Sequence, residues 1–148
     1  MLILMAGIAG SGKSTKVAEM KKADPSLVVL SSDELRAVYG KDENDLSVSS
    51  IVFKTMEVMT EYFLKRGDKV VIDATNRSIK SRAQFISIAR KLNKPVKAVV
   101  VPVSLEQALR QNGGRARQVP NHVIEKMYKD FVAPVIGEVD EVEYAKTS

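Results

Sequence analysis

The chain has 148 residues, 45% hydrophobic and 28% charged, the composition of one globular domain whose core needs no covalent staples. It has no cysteine and one histidine, His122, which excludes disulfides, thiolate metal sites, Ser-His-Asp triads and multi-histidine metal centres. The apolar start is too short for a secretory leader and no stretch is long enough to span a membrane, so no membrane contact and a cytoplasmic protein are expected.

The net charge of +5 is unevenly spread. From Arg77 to Arg117 the basic residues stand against Glu106 alone, whereas after Gly137 come Glu138, Asp140, Glu141 and Glu143 against Lys146. A positive central third suits a polyanionic substrate. The same charges also suit a solvated helix surface together with the arginines that any kinase uses on ATP.

In chain order, residues 2–6 are a short apolar run of the buried-strand type, and 13–23 read as a helix. Between them Gly7-Ile8-Ala9-Gly10-Ser11-Gly12-Lys13-Ser14 matches G-x-x-x-x-G-K-S, the phosphate-binding loop. Strand, glycine-rich loop and helix together turn backbone N–H groups inward at a phosphate chain and add the positive end of the helix. Gly7, Gly10, Ser11, Gly12, Lys13, Ser14 and Thr15 are therefore expected to bind ATP or another nucleoside triphosphate. Lys13 would reach the β- and γ-phosphates, and the Ser14 hydroxyl would ligate Mg²⁺.

A second strand is expected at 27–31 and a helix at 33–39, with Ser31 and Glu34 at capping-box spacing. Asp33 and Arg36 follow that strand as D-x-x-R. An Asp there can take the proton of an acceptor hydroxyl, and Arg36, one turn later on the same face, can pair with an anionic part of the acceptor. Asp at a helix start also serves as a capping residue. In the next helix, 49–66, Phe53, Met56, Met59, Phe63 and Leu64 recur at helical spacing and read as core.

The third strand, 69–73, ends in Asp73, as expected of a Walker-B-type element that holds Mg²⁺ directly or through water. Thr75 and Asn76 then offer neutral hydrogen-bonding groups to an acceptor, although Asn also suits a plain turn out of a strand. A helix at 80–92, a strand at 96–103 and a helix at 105–111 follow, the last with Ser104 and Gln107 at capping-box spacing. The segment 112–120, with two glycines and two arginines, reads as a lid closing over ATP. Arg115 would be its catalytic arginine, and Arg110 and Arg117 its phosphate contacts. Pro120 opens a last helix, 121–131, which Pro134 would end, and the acidic tail offers an edge strand at 139–144. His122 near the start of that helix reads as a surface residue without a role.

Alternating strands and helices imply an α/β P-loop NTPase fold: a parallel sheet of four or five strands, helices on both faces, and an arginine-bearing lid. Ligands should lie at the carboxyl ends of its strands. The single P-loop kinase domain is expected to cover 1–148.

GIAGSGKST, SSDELR, VIDATNRSIKSR and VPVSLEQALRQNGGRARQVPNHVIEKMY together resemble the kinase module of phage-type polynucleotide 5′-hydroxyl kinases, nearly the whole chain up to Phe131. The D-x-x-R and D-A-T-N elements are shared with a broader group that includes zeta-toxin-like sugar kinases. The resemblance implies ATP and Mg²⁺ on Lys13 and Ser14, and Asp33 as general base for a nucleic acid 5′-hydroxyl. It implies Arg36 on the acceptor's adjacent phosphate and Arg115 as the transition-state arginine. Thr75 and Asn76 would lie beside the acceptor nucleoside, with Arg77 and Arg82 near the polynucleotide path. The order Arg110-Gln111-Asn112 departs from the family's Arg-Asn pair and leaves the lead in the lid open between Arg110 and Arg115. There is no D-x-D-G-T motif, so no 3′-phosphatase activity is expected.

Two other readings share the phosphate site: a kinase of a small metabolite (a nucleotide sugar, nucleoside or sugar acid), and an ATP-driven switch. The D-x-x-R element argues against the switch, which needs no acceptor clamp.

Overall fold

Four short runs rich in Val, Ile and Leu, and one acidic run, pair as strands in the computed structural model, which describes residues 1–41, 46–114 and 119–146. They are β1 (Leu2–Ala6), β2 (Val28–Ser31), β3 (Val70–Asp73), β4 (Val96–Val100) and β5 (Glu141–Tyr144). All pairings are parallel and the order is β2-β3-β1-β4-β5, which puts β1 at the centre. The described helices are α1 (Lys13–Ala23), α2 (Ser32–Tyr39), α3 (Ser49–Lys65), α4 (Ile79–Lys91), α5 (Leu105–Gly113) and α6 (Asn121–Asp130), with a 3₁₀ turn at Leu46–Val48 before α3.

Successive strand residues face opposite sides, so each central strand feeds two cores. Leu2, Leu4, Val70, Ile72, Val96 and Ala98 pack against Val52, Met56 and Leu64 of α3 and Phe85 and Ala89 of α4. Ile3, Met5, Val71 and Val99 face the other way, onto Val17 of α1 and Leu27. Each fully buried Leu or Met of α3 contributes roughly 1.5–3 kcal/mol. A third cluster, Ile8, Ala108 and Ile124, seats α5 and α6 on the glycine-rich loop.

The ends of the elements differ from expectation for local reasons. Strand β4 stops at Val100 because β1 stops at Ala6, its register partner, where Gly7 turns the chain away. One more bond, Val101 N–H to Ala6 O, closes the ladder, and Pro102 has no N–H to continue it. Helix α4 begins at Ile79 with a reciprocal capping box between Ser78 and Ser81, a box that uses Ser where Glu or Gln is usual. The expected caps at Ser31 and Ser104 accept from Glu34 N–H and Gln107 N–H.

The acidic tail forms the edge strand. Lys97 on β4 donates to Glu143 on β5, which holds that carboxyl below its ordinary range, and Glu143 in turn raises the Lys97 ammonium. Lys16 of α1 lies 3.4 Å from Glu143, and Arg90 of α4 lies 2.6 Å from Asp140. Three basic residues of the central third, Arg82, Arg90 and Lys97, are thus paired with the acidic tail. This absorbs charge that the sequence offered to a polyanion.

Candidate active site

The glycine-rich loop leaves the central strand at the carboxyl edge of the sheet. Gly7 N–H donates to Thr75 O at 3.0 Å, tying the loop to the segment after β3. A Cβ on Gly7 would come within 2.7 Å of Ser11 Oγ. Gly10 and Gly12 have φ of 82° and 90°, and a Cβ on Gly10 would lie 2.4 Å from the Ala108 carbonyl oxygen of α5. Helix α1 has neither a side-chain cap nor an acid in its first turn, so its leading N–H groups remain open to an anion. Gly10→Ala is therefore expected to strain the loop by about 1–3 kcal/mol and to push it off α5. A melting curve paired with a nucleotide titration should show both stability and affinity falling.

Lys13, with 13% of its side chain exposed, places Nζ 3.5 Å from Asp73 Oδ1, on a carboxylate that is 15% exposed. That oxygen is buried and makes no hydrogen bond. The contact is an ion pair without hydrogen-bond geometry. Ser14 and Thr15, both exposed, line the same cleft as Lys13. Among the described residues no three or more His, Asp or Glu side chains are grouped so that they could hold a metal ion. A divalent cation here would thus rely on few protein oxygens plus those of phosphate. The Ser14 hydroxyl and the orphaned Asp73 oxygen are hard donors that fit Mg²⁺ in that mode.

The cleft encloses about 1070 Å³ between the glycine-rich loop, the start of α2, α3 and α6. Asp33 and Arg36 both line it, Arg36 Nη1 donating to Asp33 Oδ1 at 3.2 Å. Ser31, not Asp33, caps α2, so the capping need is already met. The Arg36 guanidinium lies 5.6 Å from the Phe53 ring centroid, and its Nε is buried with no hydrogen-bond partner. Held on two sides with a donor to spare, Arg36 suits an anion. Phe53 was expected in the core with Met56 and Leu64. Those two are fully buried, but Phe53 is half-buried and forms part of the cleft wall.

Thr75 and Arg77 also line the cleft. Asn76 does not: it is buried with φ 44°, and its amide donates to Met5 O at 2.6 Å, so it holds strand ends together. Arg82, expected near a polynucleotide path, is fully buried on α4 and bonded to Glu138, which removes it from any surface. Arg110 is exposed on α5, pairs with Glu106 at 3.0 Å and is not among the described residues lining the cleft. Arg115 and Arg117 lie outside the described residues. Buried Asn112 bonds both N–H and C=O of Val119 and so closes the base of the expected lid.

His122 is exposed, as its reading as a surface residue expects, and together with exposed Lys126 it also lines the cleft from α6, which the sequence reading did not anticipate. Their four-residue spacing puts them on one helix face opposite buried Ile124, and that amphipathic pattern was the available signal.

A family model described as an AAA domain, AAA_33, matches residues 2–134. Among curated proteins, the chain is similar to an L-seryl-tRNA(Sec) kinase of Methanococcus maripaludis, 25% identical over 138 residues that cover 90% of this chain and 53% of the relative. The chain thus spans about half the length of that relative. Among solved structures, it is similar to a chain of the Pnkp1/Rnl/Hen1 RNA repair complex with TM-score 0.75 and 22% identity, over 87% of this chain and 43% of that one. A gluconokinase from Sinorhizobium meliloti 1021 matches with TM-score 0.66 and 16% identity, over 95% and 79% of the two chains. At these identities the structural likenesses speak for the fold.

Proposed function

We propose a reaction for this chain from one premise: it belongs to the AAA_33 family of AAA domains and has the P-loop kinase fold. The reaction is transfer of the γ-phosphoryl group of ATP to a hydroxyl, and the acceptor best supported is the 5′-hydroxyl end of DNA or RNA. The observation that carries this reading is Asp33, paired with Arg36, facing the same cleft as the phosphate loop. An acid and an anion-binding arginine opposite the phosphates are what an acceptor carrying its own phosphate requires.

In this mechanism the acceptor hydroxyl gives its proton to the Asp33 carboxylate as its oxygen bonds to the γ-phosphorus. The bond from that phosphorus to the β,γ-bridging oxygen breaks, and ADP leaves. Lys13 and the α1 N–H groups hold the phosphates and offset the charge that develops on them. Ser14 and Asp73 would hold Mg²⁺, which supplies further charge neutralisation on phosphate oxygens. Arg36 orients the acceptor through its adjacent phosphate, with Phe53, Thr75 and Arg77 around it. Arg115 on the lid is the candidate arginine for the transferred group.

A kinase of a small metabolite is a second reading, favoured by the likeness to a gluconokinase and by the pairing of Arg82, Arg90 and Lys97 with the acidic tail. Arg36 and salt separate the two. Losing a charged hydrogen bond of about 1.5–3 kcal/mol, Arg36→Ala should raise the KM of a 5′-hydroxyl oligonucleotide by about 10–100-fold and leave the KM of ATP nearly unchanged. A polynucleotide acceptor should also lose affinity steeply with salt, with a slope of about −0.7 per phosphate contacted on a single strand. A flat salt response together with an unaffected acceptor KM would favour the metabolite.

A further inference from the structure

The D-A-T-N loop that carries Thr75 and Arg77 does not hold itself. Arg82 of α4 is completely buried, and its side-chain hydrogen bonds join three segments: the loop after β3, the stretch leaving α6, and Glu138. Its Nη1 donates to Asn76 O at 2.6 Å and to Val132 O at 2.7 Å. Its Nε and Nη2 grip the two Glu138 oxygens at 2.7 and 3.0 Å. Val132, two residues beyond the end of α6, in turn donates its N–H to Arg77 O at 2.7 Å. The loop after β3 and the segment leaving α6 are thus tied to each other and to one guanidinium.

The first of these segments lines the cleft itself, and the second leaves a helix, α6, that does. The loop after β3 contributes Thr75 and Arg77 to the lining, and α6 contributes His122 and Lys126. Arg82 is fully buried and Glu138 is 15% exposed, and so sheltered an ion pair contributes little net stability, because desolvation opposes the Coulombic gain. Its fork geometry nonetheless fixes several backbone groups at once.

We propose that the Arg82–Glu138 pair is a positioning element that sets the loop after β3 and helix α6 in register beside the acceptor cleft. Arg82 is then a positioning residue, not a contact to nucleic acid. The consequence for acceptor binding rests on the phosphotransferase reading above, whereas the clamp itself does not. The phosphate loop meets this network where Gly7 N–H donates to Thr75 O, while Ser11 N–H bonds within the loop itself, to Ile8 O.

The test uses three variants of the full chain. Arg82→Lys removes the fork, Glu138→Gln removes the charge, and Val132→Pro removes only the N–H donor to Arg77 O, at a residue preceded by extended backbone. Val132→Pro leaves the buried charges intact and so covers the case in which the other two fail to fold. The measurements are amide hydrogen exchange, ATP affinity, and KM and kcat with a 5′-hydroxyl oligonucleotide. Exchange in segments 74–78 and 130–134 should quicken together by roughly tenfold or more, while 8–14 and ATP affinity stay as in wild type. Acceptor KM should rise by a similar factor, with a smaller change in kcat.

Unchanged exchange in either segment would overturn the proposal. So would uniform loosening along the chain, or equal loss of ATP and acceptor affinity, because either marks a merely structural role. If the wild type phosphorylates no oligonucleotide, the acceptor reading fails and hydrogen exchange still decides the clamp.

Discussion

Asp33→Asn is expected to lower phosphoryl transfer by about 10²–10⁴-fold, the usual weight of a general base, with little change in ATP affinity. The asparagine keeps the size and the hydrogen-bond acceptor that meets Arg36 at 3.2 Å, but it cannot take a proton. The competing role for Asp33 is electrostatic support of the α2 N-terminus, worth about 0.3–1 kcal/mol and without effect on chemistry. Ser31 already caps that helix, and Glu34 shares its first turn, so the support is redundant. Single-turnover transfer beside an ATP titration separates the two roles. A variant that keeps near-wild-type transfer would make Asp33 a helix residue and move the base elsewhere.

The second large effect is expected at Lys13. Lys13→Ala should reduce transfer by about 10²–10³-fold, the scale of removing one preorganised donor from a transition state, and should also weaken ATP binding, because the same ammonium meets the phosphates in the ground state. The variant leaves Asp73 largely buried, with the nearest cation gone and one oxygen lacking any hydrogen bond. A lower melting temperature is expected alongside, since an uncompensated buried charge is costly. Lys13→Arg should not restore activity, because a planar fork does not replace a compact ammonium in a tight loop. Melting curves recorded with the kinetics show whether lost activity is lost fold. Full ATP affinity and turnover in Lys13→Ala would sink the phosphate-site assignment.

The first third of the chain was legible because its signals are local. The apolar run 2–6, the glycine spacing and helix 13–23 were all read at their observed bounds. Each depends on chemistry within a few residues, and Gly10 and Gly12 use left-handed backbone that their type permits. Asp33 and Arg36 were legible for the same reason, being one helical turn apart.

Long-range contacts were not. Arg82 looks like any surface arginine on a basic helix, and its partner Glu138 lies 56 residues away. Asn76 shows the same limit: its amide reaches Met5 O across 71 residues of sequence. Helical periodicity placed Phe53 on the apolar face of α3, correctly, but periodicity cannot say where that face passes from core to cleft. His122 and Lys126 escaped because one histidine and one lysine on an amphipathic helix resemble ordinary solvated residues. Charge counting also overreached, since it treated Arg82, Arg90 and Lys97 as available when Glu138, Asp140 and Glu143 pair with them.

The most direct test of the central claim is transfer of labelled γ-phosphate from ATP with Mg²⁺. The acceptors are 5′-hydroxyl DNA and RNA oligonucleotides, matched 5′-phosphorylated controls and a panel of sugars and nucleosides, with Lys13→Ala and Asp33→Asn alongside. Label on the 5′-hydroxyl oligonucleotides, none on the blocked controls and none with either variant is the predicted result. Label on a small metabolite in place of any oligonucleotide would keep the phosphate site and contradict the polynucleotide acceptor. ATP binding without transfer to any acceptor would contradict the kinase reading itself.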